Sequence, residues 1–237
     1  MKQIWDFSQT VDIDDVKEIL DRQITCNMAI ANEGIHNSYG ANIGHVILNM
    51  DSDCVKTRAK AYAAAGSDAR MNGCELPVVI NSGSGNQGIT CCVPVVVYAK
   101  ELDCTQEQLY RALVLSNLTA IYIKTGIGTL SAFCGAVSAG AAAGAGIAYL
   151  HNGTYKEIQH TIVNALAILS GTICDGAKAS CAAKIASSVD AGTICIKISN
   201  NSMQVMESLL IVWMKQFKIL EHLVLKECFK QMIKLLR

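Results

Sequence analysis

The stretch that decides the fold is Leu130-Ser131-Ala132-Phe133-Cys134-Gly135-Ala136-Val137-Ser138-Ala139-Gly140-Ala141-Ala142-Ala143-Gly144-Ala145-Gly146-Ile147-Ala148-Tyr149-Leu150. It carries no charged side chain and is long enough to cross a bilayer as a helix, and its small residues Gly135, Ala139 and Ala143 recur at a spacing that lets helices pack closely in lipid. Against a membrane span, the run is mostly Ala, Gly and Ser, which are weakly hydrophobic, and it has no basic flank or aromatic belt. We therefore read it as the buried central helix of a mainly α protein, a compact bundle of packed helices with no membrane partner.

Residues 12–31 place Ile13, Val16, Ile19, Leu20 and Ile24 at helical spacing, and Gly34 offers a stop. Residues 56–65 read as helix on alanine content, ending at Gly66. Thr105 with Gln108 has the form of a capping box ahead of Leu109, Leu113, Leu118 and Ile121. Residues 155–169 form another helix closed by Gly171, and Asp175-Gly176-Ala177-Lys178 opens a further one through Ala191. The run 89–98 stays open: its β-branched valines favour strand, while its place after a polar Gly-rich loop suits a helix start that Pro94 would kink. Residues 194–198 are the one short strand-like alternation.

With 237 residues, two prolines (Pro77 and Pro94) and no Pro/Ser-rich linker, one compact domain with a substantial core is expected. Twenty basic and twenty acidic residues cancel, so nothing in the charge points to nucleic acid or an anionic membrane. The eleven cysteines are an odd number, and the opening Met1-Lys2-Gln3-Ile4-Trp5-Asp6 lacks the features of a signal peptide. Reduced thiols in the cytoplasm are the expectation. No Cys-x-x-Cys pair occurs, which removes the commonest zinc and thioredoxin-like readings.

The chemistry-bearing segment is Asn81-Ser82-Gly83-Ser84-Gly85-Asn86-Gln87-Gly88, rich in amides, hydroxyls and glycine. No Gly-Lys-Ser/Thr follows it, so it is not a Walker loop. Its Gly83-x-Gly85-x-x-Gly88 spacing is weak support for a dinucleotide site, with Glu101 and Asp103 the nearest acids downstream.

Five phrases in order are far more specific: Ser67-Asp68-Ala69-Arg70-Met71; residues 81–90 ending near Pro94-Val95-Val96-Val97; Leu118-Thr119-Ala120-Ile121-Tyr122-Ile123; Leu130-Ser131-Ala132-Phe133-Cys134; and Ile173-Cys174-Asp175-Gly176-Ala177-Lys178 with Ser180-Cys181-Ala182. Over roughly residues 10–204 the chain resembles the serine-dehydratase α-chain-like family, in the branch that includes L-cysteine desulfidases. The resemblance implies an oxygen-sensitive [4Fe-4S] cluster held by three cysteines, with the open iron acting as Lewis acid. It also implies β-elimination from a small amino-acid substrate, L-cysteine giving pyruvate, ammonia and sulfide; L-serine dehydratase activity is the alternative.

Carried onto this sequence, two of the cluster ligands fall on Cys134 and Cys174, one near the start of a helix and one just ahead of the next, where the positive helix end favours thiolate. The bland alternative is that both are small buried hydrophobes. Cys181 is the next candidate, but it would point into the following helix, and the adjacent Cys91 and Cys92 suit neither a mutual disulfide nor one cluster. Substrate binding is expected from Arg70, as a bidentate grip on carboxylate or else a salt bridge to Asp68, and from Ser82, Gly83, Ser84, Gly85, Asn86 and Gln87. The α-proton base is unassigned among His45, His151, His160 and Lys178.

Two departures from the family pattern stand out. The resemblance places the third cluster cysteine in a Gly-Cys-Thr-Glu-Pro phrase of an N-terminal portion, and that phrase does not occur in these residues. A separate chain carrying that portion, or a homo-oligomer, is the implied partner. After Asn200-Asn201-Ser202 the family pattern also stops; reading the codons for residues 205–209 one base earlier allows the family phrase Gly-Asp-Gly-Ile-Val. The organisation expected is a family domain over 1–204 and an out-of-frame tail over 205–237, in a chain inactive alone or a non-catalytic remnant.

Overall fold

The computed structural model describes residues 1–128 and 131–200, so the tail assigned to residues 205–237 lies outside the described residues. Nine helices make up the described part: α1 Lys2–Thr10, α2 Ile13–His36, α3 Ile43–Met50, α4 Val55–Met71, α5 Gly85–Glu101, α6 Gln106–Ile127, α7 Gly135–Leu150, α8 Tyr155–Ile168 and α9 Cys181–Asn200. The described residues contain no strand, only two isolated bridges, Asn81 with Ser84 and Phe133 with Ile173. The expected mainly α bundle is what is found.

The Ala/Gly-rich run forms the central helix α7, which packs against α5, α6, α8 and α9 and is buried along nearly its whole length. Among the described residues no helix is long and apolar enough to cross a membrane. The close approach of α7 to α9 rests on glycine: a Cβ on Gly140 would lie 2.5 Å from Ser188 Cβ, and one on Gly144 would lie 2.9 Å from Gly192 Cα. These pairings run in the same order along both helices, so α7 and α9 are parallel. Gly135 faces Gln87 and Gly146 faces Val95, so α5 is parallel to α7 as well, while Gly146 faces Ala112 and Ser116 across an antiparallel α6. The N-termini of α5, α7 and α9 thus share one end of the bundle with the C-terminus of α6.

Helix α4 runs antiparallel to α5, with Gly66 against Ile89 and Arg70 against Gly85, so its C-terminus reaches the same end. The helix expected over 56–65 therefore does not stop at Gly66. It passes through, because the missing side chain admits Ala31 and Ile89, and packing outweighs the propensity cost of about 1 kcal/mol. Gly34 likewise lies inside α2, where a Cβ would collide with the Ala65 carbonyl. The open run 89–98 is helix, with Pro94 inside it. The strand-like 194–198 is part of α9, which begins at Cys181 rather than at Asp175. Both capping boxes, Thr105/Gln108 and the unforeseen Thr154/Glu157, close in both directions.

Helix α3, also unforeseen, has no local side-chain cap; Asp68 on α4 supplies it, its Oδ2 accepting from the Ile43 N–H at 2.7 Å. Burial raises the Asp68 carboxyl above its ordinary value, with the Ile43 and Ala41 N–H groups pulling the other way, and its Oδ1 has no hydrogen-bond partner.

Two outcomes follow. Gly140→Ala should destabilise the fold by about 1–3 kcal/mol in denaturant titrations, because overpacking exceeds the helix propensity gained, whereas Gly171→Ala, with nothing within 4 Å, should stay within about 0.5 kcal/mol. The raised Asp68 value means that ionisation costs the folded state stability at neutral pH, a cost relieved as pH falls through that value. Thermal melts from neutral to mildly acidic pH should therefore show the unmodified chain gaining on Asp68→Asn as pH drops; parallel curves would contradict this.

Candidate functional site

The predicted site residues gather at the shared helix end. Asn81 to Ser84 form a tight turn closed by Asn81 N–H to Ser84 O at 3.1 Å and Ser84 N–H to Asn81 O at 3.0 Å. Ser82 (φ 49°) and Gly83 (φ 79°) occupy the left-handed region at its two central positions, as a type I′ turn requires. Ser82 Oγ donates to Asn81 Oδ1 at 2.8 Å, so Ser82 and Gly83 build the turn. Ser84 is the N-cap of α5, and Gly85, Asn86 and Gln87 are its buried first turn.

Arg70 reaches this first turn from α4, its Nη1 donating to Asn86 Oδ1 at 3.1 Å. The guanidinium passes over Gly85, where a Cβ would collide with Nε. The salt bridge to Asp68 does not form, since Asp68 caps α3 instead, and Arg70 pairs with no carboxylate among the described residues. Gln87 extends toward α7: a Cβ on Gly135 would meet its Cδ at 2.7 Å. Gln87 is 7 % exposed and its Oε1 is buried without a hydrogen-bond partner.

Cys134 is the N-cap of α7. The Phe133–Ile173 bridge joins its segment to that of Cys174 through Cys134 N–H to Thr172 O at 3.2 Å and Cys174 N–H to Ala132 O at 2.7 Å. Each cysteine follows its bridged residue by one position, so the two fall on the face opposite Phe133 and Ile173, as diagonal neighbours roughly 7–8 Å apart on a regular ladder. The 39 residues between them, 135–173, are folded away to bring the two segments together. Cys174, expected just ahead of a helix, instead lies in an irregular segment before α9.

A third thiol joins them. Cys181 was set aside because it would point into the following helix; it is in fact the first residue of α9, with its Sγ turned back to the Gly176 carbonyl at 3.6 Å. The Cys134 thiol is pushed up by burial first; the Ala136 N–H, which makes no capping bond to it, and Lys184 act in the opposite direction, while Cys174 and Cys181 push it up further. The Cys134–Thr172 and Cys174–Ala132 bonds, the Lys184 bonds to Ile173 and Asp175, and the Cys181 contact with Gly176 tie the three thiol-bearing segments together. Among the described residues no three ligand side chains are close enough to hold a single metal ion. Three thiols, one at a helix N-cap and one at a helix start, are the type of donor an iron–sulfur cluster takes.

The proposed bases are spread out. His151 is the C-cap of α7, at the opposite end of the bundle, and His160 lies within α8. His45 is on α3, and Lys178 lies in the exposed segment between Cys174 and Cys181.

One residue that sequence reasoning missed holds the loop. Asn117 on α6 forms a reciprocal amide pair with Gln23 of α2, at 2.9 and 2.8 Å, and its Oδ1 and carbonyl accept from Asn81 Nδ2 at 3.0 and 3.2 Å. Its Nδ2 also donates to Leu113 O at 2.9 Å. The only sequence signal was a lone Asn in the mostly apolar, charge-free stretch of α6 over residues 112–123.

Comparison with known proteins places this geometry in a lineage. The chain is 62% identical over 194 residues to a UPF0597 protein of Desulfitobacterium hafniense, covering 82% of this chain and 45% of the relative. It is 60% identical over 196 residues to one of Lachnoclostridium phytofermentans, covering 83% and 47%, and 53% identical over 202 residues to one of Finegoldia magna, covering 85% and 48%. The chain thus spans under half the length of these relatives. No solved structure matches it. The family model described as "Serine dehydratase alpha chain" matches residues 2–228, and the chain belongs to the serine dehydratase alpha chain family.

Proposed function

We propose that this chain is the cluster-bearing part of an iron–sulfur amino-acid β-lyase in the cytoplasm, acting on L-cysteine to give pyruvate, ammonia and sulfide. L-Serine, with water as leaving group, is the second reading, since the same grip on carboxylate and ammonium serves both. The observation that supports it is the convergence of Cys134, Cys174 and Cys181 on the same helix end as an acid-free Arg70 and an unpartnered Gln87 amide. Cys134, Cys174 and Cys181 would hold the [4Fe-4S] cluster, Cys181 taking the third position that the family resemblance alone assigned to an N-terminal cysteine. When bound, it supplies a Lewis-acidic iron that carries no protein ligand.

The chain's own groups bind and orient. Asn86 accepts one N–H of Arg70, which fixes the guanidinium plane and leaves its other donors for a bidentate bond to the substrate carboxylate. The first N–H groups of α5 add a helix N-terminus to the same anion. Gln87 Oε1, lacking any partner, accepts from the substrate ammonium, and its contact with Gly135 puts that end of the substrate beside Cys134. Asn117 sets the turn that launches α5, so loop placement depends on α2 and α6 together. The remaining length of the relatives leaves room for a partner segment that completes the site.

Anaerobic reconstitution tests the ligand set directly: iron and sulfide analysis should give one cluster per chain, lost in Cys134→Ser, Cys174→Ser or Cys181→Ser and kept in Cys104→Ser. A full iron load in Cys181→Ser would move the third ligand elsewhere. Asn117→Ala should cost about 1–3 kcal/mol of stability by orphaning the Gln23 and Asn81 amides, with Asn117→Asp recovering part of it. In the assembled enzyme, Arg70→Gln should raise KM by roughly tenfold or more with a smaller change in kcat, the pattern of a lost carboxylate grip.

A further inference from the structure

We propose that Lys184 is a positioning residue for the thiol face, holding Cys174 by both of its flanks and placing a fixed positive charge among the three thiols. The assignment deepens the cluster reading above; its mechanical part stands without it.

The geometry is local and specific. From the first turn of α9, Lys184 Nζ donates to the carbonyl of Ile173 at 3.1 Å and pairs with the carboxylate of Asp175. These are the residues immediately before and after Cys174. Ser180 Oγ donates to the other oxygen of the same carboxylate at 3.1 Å. The Cys174 amide is meanwhile tied to Ala132 O at 2.7 Å. One ammonium therefore anchors an irregular segment that no helix or sheet supports, and anchors it to the helix that begins with Cys181.

The charge matters as much as the tether. The Lys184 side chain is 23 % exposed, and its ammonium is held up mainly by Asp175, with Cys134 and Cys181 adding to the effect. An exposed ion pair alone contributes little to stability. An ammonium fixed by a carbonyl and a carboxylate is different, because its position relative to the thiols is set. Thiolate-ligated clusters carry negative charge, and nearby charge and hydrogen bonding tune both assembly and potential.

The test compares Lys184→Met and Lys184→Arg with the unmodified chain. In the metal-free chain, hydrogen exchange of peptides covering residues 172–176 should speed up by roughly tenfold or more in Lys184→Met, with Lys184→Arg near the unmodified rate and exchange in α5 unchanged. After anaerobic reconstitution, Lys184→Met should carry less iron per chain, and the cluster it retains should have a more negative reduction potential, both restored in Lys184→Arg. Unchanged exchange in Lys184→Met overturns the positioning role, as does an unchanged iron load and potential. If the unmodified chain takes up no iron, the cluster reading fails, and the exchange comparison alone decides whether Lys184 holds the segment.

Discussion

The near-contact of α7 and α9 sets everything at the thiol end of the molecule. A side chain on Gly140 would press into Ser188, and one on Gly192 would lie 2.6 Å from the Gly140 carbonyl oxygen, so the two backbones meet with nothing between them. Helix α7 carries Gly135, Gly140, Gly144 and Gly146, whose combined propensity cost is roughly 2–4 kcal/mol relative to alanine. The return is close dispersion contact along a buried face and a fixed register. Because Gly140 meets Ser188 and Gly144 meets Gly192, the N-cap Cys134 is brought level with the first turn of α9, where Cys181 and Lys184 sit. Widening that crossing would separate the thiols before it unfolded the protein.

Buried polar groups fall into two kinds, and the difference marks the site. Asn117 and Asn81 are satisfied by side chains and carbonyls from α2, α6 and the turn, a closed network that fixes the loop. Gln87 Oε1, a few residues further on, is buried without a partner, which costs about 1–3 kcal/mol. The first amide network is structural, whereas the Gln87 oxygen keeps its accepting capacity. The half-buried Arg70, next to it, is bonded to the Asn86 amide and to no carboxylate among the described residues.

Much of this was legible in sequence. The charge-free Ala/Gly run, the Thr105/Gln108 box and the apolar spacing of residues 12–31 gave the helical bundle, and ordered phrases gave the site residues. What failed were local stop signals. Gly34 and Gly66 look like helix ends, but each is a contact point between helices, which depends on partners distant in sequence. Helix α3 was missed because its cap, Asp68, comes from another helix. Cys181 was set aside because a helix was started at Asp175; once the helix begins at Cys181, the thiol lies at its end and not along its side. Lys184 and Asn117 carry no motif, and their roles exist only in three dimensions.

The spacing of the thiols argues for what they would hold. Among the described residues no three ligand side chains are grouped as a single metal ion would need them. Three thiols spread over a helix N-cap, an irregular loop and a helix start are the donors that would hold the proposed cluster. The N-termini of α5, α7 and α9 direct partial positive charge to that end, the C-termini of α4 and α6 direct negative charge there, and Lys184 adds a full positive charge beside the Cys174 segment. On the proposed reading, the helix end that would hold the cluster would also take the substrate carboxylate, at Arg70 and the first turn of α5.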